Sequence, residues 1–260
     1  MKLRTIFATL AIFTLASGVA FAAVHFSVRP GEYDPGKTFL VQAQWLNGIG
    51  CPTSAKTQLY NADGSTSPGT FKDAGCPTGD PDHQNQGLLL AKTGPTANNA
   101  SAFAELKGVK GIVVTELGYD LRKQSTAASL SGSHCGAGAP RFNVETTTAF
   151  YFIGCNSPPA TMTAASTGWI RLRWGGTVAL MGYNASTGTL ETVNGTVKSI
   201  TIIFDEGQDA GGAPDTFGLA VLDNIDVNGT LVGRGDSNGD KGNDHGDNNG
   251  NNDDEQGDRD

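Results

Sequence analysis

Apolar and polar residues alternate with a period of two through much of this chain. Between residues 37 and 45, Phe39, Val41, Ala43 and Trp45 share one face, and Gln42 and Gln44 take the other. Between residues 169 and 174, Ile170, Leu172 and Trp174 lie opposite Trp169, Arg171 and Arg173. This pattern sets one face of a strand against a core and the other toward solvent. Apolar and β-branched runs at 87–91, 111–121 and 178–183 predict further strands, and those at 197–205 and 217–227 are the strongest. Residues 141–155 predict a hairpin, with Phe142 and Val144 on one arm, Phe150, Phe152 and Ile153 on the other, and Thr146 and Thr148 near the turn.

The connectors agree with that reading. Asn194-Gly195 and Asn228-Gly229 stand between apolar runs, where a type I′ turn closes a hairpin, and Asn47-Gly48 and Asp63-Gly64 carry the same turn chemistry. No long amphipathic helical stretch and no strand–helix–strand spacing interrupts the series. The expected fold is therefore all-β: an antiparallel β-sandwich of the jelly-roll kind, with a barrel as the competing closure.

The two ends differ from the middle. Lys2 and Arg4 precede an apolar run from Ile6 to Ala16, and Ala20-Phe21-Ala22 forms an A-x-A pattern. Residues 1–22 thus read as a secretory signal peptide, too short for a stable membrane span, and imply an exported, extracellular or cell-surface protein. From Gly235 onward no side chain is apolar. Residues 234–260 are expected to form a disordered acidic tail, because they have nothing to bury against the entropy of ordering. Residues 23–233 remain as one domain, long enough for a substantial core.

Charge narrows the choice of partner. The chain carries −8 overall, and nine acids against three bases from Arg234 onward place −6 of it in the tail. Neither part has a basic surface, which argues against nucleic acid and anionic membrane as partners.

The cysteines fit export. Cys51, Cys76, Cys135 and Cys155 form an even set without C-x-x-C spacing, which favours disulfides over a zinc site. Four cysteines allow three pairings. Gly50-Cys51-Pro52-Thr53 recurs as Gly75-Cys76-Pro77-Thr78, and these similar turns favour Cys51–Cys76 with Cys135–Cys155. Each such loop would contribute about 3 kcal/mol by restricting the unfolded chain.

Four segments carry a family resemblance: Cys135-Gly136-Ala137-Gly138-Ala139-Pro140-Arg141-Phe142-Asn143-Val144, Phe152-Ile153-Gly154-Cys155, Phe204-Asp205-Glu206-Gly207, and Val221-Leu222-Asp223-Asn224-Ile225-Asp226-Val227-Asn228-Gly229-Thr230. They resemble a group of uncharacterised secreted bacterial β-sandwich proteins, and the resemblance implies architecture and location only. The closing Leu222-Asp223-Asn224-Ile225-Asp226-Val227 segment also looks like the last strand of jelly-roll carbohydrate-binding modules. In several of those families an aspartate on that strand helps hold a structural calcium ion, a role that would fall to Asp223. The glutamate-rich opening strand that often accompanies that site is missing here.

Candidate chemistry is sparse. His25, His83, His134 and His245 belong to no H-E-x-x-H motif, and G-x-S-x-G and P-loop patterns are absent. Ser133-His134-Cys135 places neighbours on opposite faces of any strand, so it does not make a nucleophile and base. Asp205 with Glu206, and Glu116 with Asp120, are the carboxylate pairs a glycosidase would need about 5–10 Å apart across a cleft. In the tail, Asp236, Asn238, Asp240, Asp244 and Asp247 occupy positions 1, 3, 5, 9 and 12 of a calcium-loop pattern. That pattern resembles EF-hand-like and thrombospondin type 3 loops, but Lys241 stands where glycine is expected and no helix flanks it. Trp45, Trp169, Trp174, Tyr119 and Tyr183 are the aromatic candidates for stacking on sugar rings. Trp169, sharing a face with Arg171 and Arg173, is the one expected to be exposed, whereas Trp45 and Trp174 fit the core.

Together these features predict a secreted, non-enzymatic binding or cell-surface module with carbohydrate or calcium as its ligand. A secreted polysaccharide hydrolase and a purely structural extracellular matrix or envelope protein are the alternatives.

Overall fold

A computed structural model describes residues 25–51, 56–60, 66–70, 85–97, 99–123, 139–155, 157–166, 169–206 and 218–233. The expected signal peptide, the acidic tail, Cys76, Cys135, Ser133-His134 and Asp63-Gly64 lie outside the described residues. The structure is all-β. Its strands are β1 (Ser27–Tyr33), β2 (Val41–Leu46), β3 (Lys56–Tyr60), β4 (Thr66–Thr70), β5 (Gly87–Lys92), β6 (Ser101–Lys107), β7 (Glu116–Lys123) and β8 (Arg141–Thr146). They continue with β9 (Phe150–Gly154), β10 (Thr161–Ser166), β11 (Trp169–Gly175), β12 (Met181–Asn184), β13 (Leu190–Thr192), β14 (Val197–Phe204), β15 (Gly218–Val227) and β16 (Thr230–Val232).

Two antiparallel sheets carry the domain. The first has the order β1-β6-β14-β8-β9-β12-β13, the second β10-β11-β7-β15-β5-β2, and β3 with β4 forms a separate hairpin. Within these orders lie the four-strand sets β6-β14-β8-β9 and β5-β15-β7-β11. Followed along the chain, those eight strands change sheet at every step except the β8–β9 hairpin. Such winding is a jelly roll, and the expected β-sandwich is the architecture observed.

The core between the sheets follows the alternation. Ala102, Ala104 and Leu106 of β6, Ile200, Ile202 and Phe204 of β14, and Phe142 and Val144 of β8 point inward from the first sheet. Leu88 and Leu90 of β5, Leu117, Tyr119 and Leu121 of β7, and Leu172 and Trp174 of β11 meet them from the second. Tyr119, Phe142 and Trp174 form a tilted and edge-on triad with centroids 5.4–5.9 Å apart. Their polar atoms are satisfied at the margin: the Tyr119 hydroxyl donates to the Pro140 carbonyl at 2.7 Å, and the Trp174 indole N–H to Pro158 at 2.9 Å. Burial, reinforced by the charge of Glu206, holds the Tyr119 hydroxyl protonated well above its ordinary range.

Strand β15 breaks simple alternation for a physical reason. Leu222, Ile225 and Val227 are all core residues, at spacings of three and then two. An uninterrupted strand would turn Ile225 outward. The register against β7 slips between Asp223 and Asp226, and Asn224 sits at φ 46°. This β-bulge returns Ile225 and Val227 to the core while both aspartates face outward. Asn228 and Gly229 then take φ 52° and 80° between β15 and β16, the expected type I′ turn.

Several expectations are corrected. Phe39 leaves the β2 pattern, standing 86% exposed at φ 59° in a loop where Asp34 Oδ2 accepts its backbone N–H. Strand β7 begins at Glu116, not at 111, and β12 begins at Met181, leaving Val113 and Val178 exposed. Asn194-Gly195 joins β13 to β14, which pair with other strands and not with each other.

Candidate ligand-binding face

The outward face of the first sheet assembles the most ligand-like surface. Its registers connect Arg29 to Glu105, Glu105 to Thr201, Thr201 to Asn143, Asn143 to Phe152, Phe152 to Tyr183 and Tyr183 to Leu190. One continuous row thus crosses seven strands, roughly 29 Å at normal strand spacing. A second row runs from Phe103 through Ile203 to Arg141. Phe103, Phe152, Tyr183, Asn143 and Thr201 are all partly exposed.

The aromatic half of this face is held rigidly. Phe150 and Phe152 meet edge-on with centroids 5.3 Å apart. Arg141 lies over Phe152 at 5.9 Å from the ring centroid, and its two terminal nitrogens donate to the two Asp205 oxygens, each at 2.8 Å. The bidentate fork fixes the plane of the guanidinium. Beside it, the Asn143 side-chain carbonyl oxygen is buried with no hydrogen-bond partner. An orphan of this kind costs about 1–3 kcal/mol and is relieved by water or ligand. Flat apolar rings next to fixed planar hydrogen-bonding groups suit a ligand with both apolar faces and polar edges.

The outward face of the second sheet has a different character. Asp120 is fully buried and receives Arg171 Nε at 2.9 Å, Arg171 Nη2 at 2.8 Å and Asn224 Nδ2 at 2.7 Å. Arg173 bridges Asp120 at 3.5 Å and Asp226 at 3.1 Å. Asp226 also accepts the Gly229 N–H at 2.8 Å. Burial pushes the Asp226 carboxyl up to about 6, against the pull of Arg173, with Glu116 adding repulsion. The hydrogen bond to Asp120 raises Arg171, whereas burial lowers Arg173. These charges largely satisfy one another, so the strip reads as structural.

The residues singled out from the sequence divide accordingly. Trp169 does face the same way as Arg171, but it is only 1% exposed and packs with Cys51 and Val221, so it offers no open stacking surface. Tyr119 and Trp174 are core, Trp45 is partly buried against the core with its indole N–H donating to Val28 O at 3.2 Å, and Tyr183 alone of the five lies on the aromatic face. Phe150 and Phe152 were read as hairpin arms. Their shared parity with Tyr183 across the sheet is the signal that sequence reasoning missed.

Asp223 ties the chain together. Its Oδ2 accepts the Cys51 N–H and its Oδ1 the Asn224 N–H, both at 2.6 Å. Asp223, the residue the resemblance assigned to calcium, thus accepts one backbone donor at each carboxylate oxygen. Among the described residues, no three His, Cys, Asp or Glu side chains gather as a metal site. Asp236, Asn238, Asp240, Asp244 and Asp247 lie outside the described residues.

The carboxylate pairs do not meet across a cleft. Asp205 is outward with Arg141, whereas its neighbour Glu206 is buried. Glu116 and Asp120 share a face but stand four residues apart on one strand, about 13 Å along it. Cys51 and Cys155 are both disulfide-bonded and fully buried. Among the described residues no helix is long and apolar enough to cross a membrane. No family model, curated protein or solved structure matches the chain.

Proposed function

We propose that this protein is an exported, non-enzymatic carbohydrate-binding module whose ligand lies across the outward face of the first sheet. The observation that carries the reading is the in-register row from Glu105 through Thr201, Asn143 and Phe152 to Tyr183, with Arg141 clamped over Phe152. Sugar rings present apolar CH faces to aromatic side chains and hydroxyls to amides, carboxylates and guanidinium groups. A row spanning several strands favours an extended chain over a single ring. Export is supported by the leader-like residues 1–22 and by the disulfide-bonded state of Cys51 and Cys155. Calcium enters through the tail, as a ligand of Asp236, Asn238, Asp240, Asp244 and Asp247. Calorimetry on the full chain should detect a millimolar calcium event that weakens on Asp240→Ala, and a flat titration removes calcium from the proposal.

A glycan array with the purified protein tests the main reading. Polysaccharide or oligosaccharide binding that falls at least tenfold in Phe152→Ala and Tyr183→Ala supports it. An empty array, or binding indifferent to both substitutions, refutes it. Hydrolysis of the bound glycan would favour the hydrolase alternative.

A further inference from the structure

A cleft of about 440 Å³ opens at the end of the arginine–aspartate strip, on the second sheet and away from the aromatic face. Thr115, Glu116, Thr161, Arg173 and Thr177 line it. Its wall is built by two consecutive glycines. Gly175 and Gly176 take φ 82° and 76°, a conformation other residues adopt only under strain, and the Gly176 N–H donates to Thr115 O at 3.0 Å. A Cβ at Gly176 would come within 3.2–3.3 Å of the Glu116 carboxyl group. Asn228 fixes the opposite side: its Oδ1 accepts the backbone N–H of Thr115 at 2.8 Å and of Glu116 at 3.1 Å.

The groups in this cleft are not equally committed. Arg173 is held by Asp120 and Asp226, and the Thr115 hydroxyl donates to Asn228. The Glu116 carboxylate makes no hydrogen bond or ion pair among the described residues, and the Thr161 and Thr177 hydroxyls make none either. Counting the whole strip, the carboxylates of Glu116, Asp120, Asp223 and Asp226 outnumber the guanidinium groups of Arg122, Arg171 and Arg173 by one. The uncommitted carboxylate therefore lies in a region of excess negative charge, where a cation is favoured. The cleft is too large for a bare ion, and its remaining free groups are hydroxyls. The geometry points to a second binding site that takes a small polyhydroxylated ring bearing a protonated amine. The amine pairs with Glu116, and the ring hydroxyls bond to Thr161 and Thr177.

This site is independent of the aromatic face, and the test separates the two. The full-length protein is titrated with 2-amino-2-deoxyglucose, its N-acetyl analogue and glucose, and binding is read from amide chemical shifts. The free amine should bind with shifts at Thr115, Glu116 and Thr177, and Phe152→Ala should leave that binding unchanged. Glu116→Gln should weaken it at least about tenfold, the loss of one charge-assisted hydrogen bond, and Thr177→Val should weaken it less. Absence of binding, equal binding of glucose, or full binding by Glu116→Gln overturns the assignment. If Glu116→Gln disturbs the fold, Thr177→Val together with the amine-versus-N-acetyl comparison decides the same question.

Discussion

Replacing Asp120 with alanine tests whether the outward face of the second sheet is structural. The carboxylate has no solvent exposure and accepts three side-chain hydrogen bonds of 2.7–2.9 Å from Arg171 and Asn224, with Arg173 bridging at 3.5 Å. Removing it leaves two guanidinium groups, 23% and 15% exposed, without their shared counter-ion. It also removes the acceptor of Asn224 Nδ2 in the β15 bulge. Breaking a buried ion pair from one side costs about 3–5 kcal/mol. In a domain of this size each kcal/mol moves the melting temperature by roughly 2–4 °C, so the midpoint should fall by about 6–20 °C. Denaturant unfolding of wild type, Asp120→Ala and Asp120→Asn would measure it, with the asparagine variant losing less because it keeps an acceptor. A loss below about 1 kcal/mol in Asp120→Ala would refute the view that this strip holds the second sheet together.

Other substitutions probe separate parts of the account. Asp226→Asn should change the pH dependence of stability. The folded carboxyl titrates near 6 against 3.8 for a free one, so the folded state binds more protons in that interval and this group destabilises progressively as pH rises through it. The variant should therefore gain on wild type between about pH 4 and 6, and thermal melts showing a pH-independent difference would contradict the assignment. Asn228→Ala removes a turn residue at φ 52° and the acceptor for the backbone N–H groups of Thr115 and Glu116 at the start of β7, so denaturation should report a loss of about 2–4 kcal/mol. Phe142→Ala empties the centre of the aromatic triad and should cost about 3–5 kcal/mol by the same measurement.

Sequence periodicity locates the elements that matter most and misses how their faces are used. The β8–β9 hairpin, β14 and the Asn228-Gly229 turn are all legible because β-branched and aromatic residues alternate around clear turn chemistry. Strand β6 is not, because Ala102 and Ala104 carry little strand signal although they alternate with Phe103 and Glu105. Strand β1 hides behind Pro30 and Gly31, both admissible at a sheet edge, and Gly31 lies directly against the Phe103 ring. Alternation also puts Trp169 correctly on an outward face. It cannot reveal that Cys51 packs over that face while Phe103, Asn143, Phe152, Tyr183 and Thr201 on the outward face of the first sheet stay partly exposed. The spacing of Leu222, Ile225 and Val227 encodes the bulge, a local explanation of the Asp-Asn-Ile-Asp pattern.

The aromatic face is best tested by mapping the protein's amide chemical shifts during titration with the glycan that binds it most tightly on the array. Perturbations should concentrate at Phe103, Asn143, Phe152, Tyr183 and Thr201, and Phe152→Ala should abolish them at the same glycan concentration. Shifts confined to the second sheet, or a spectrum unchanged at saturating glycan, would contradict a carbohydrate site on this surface.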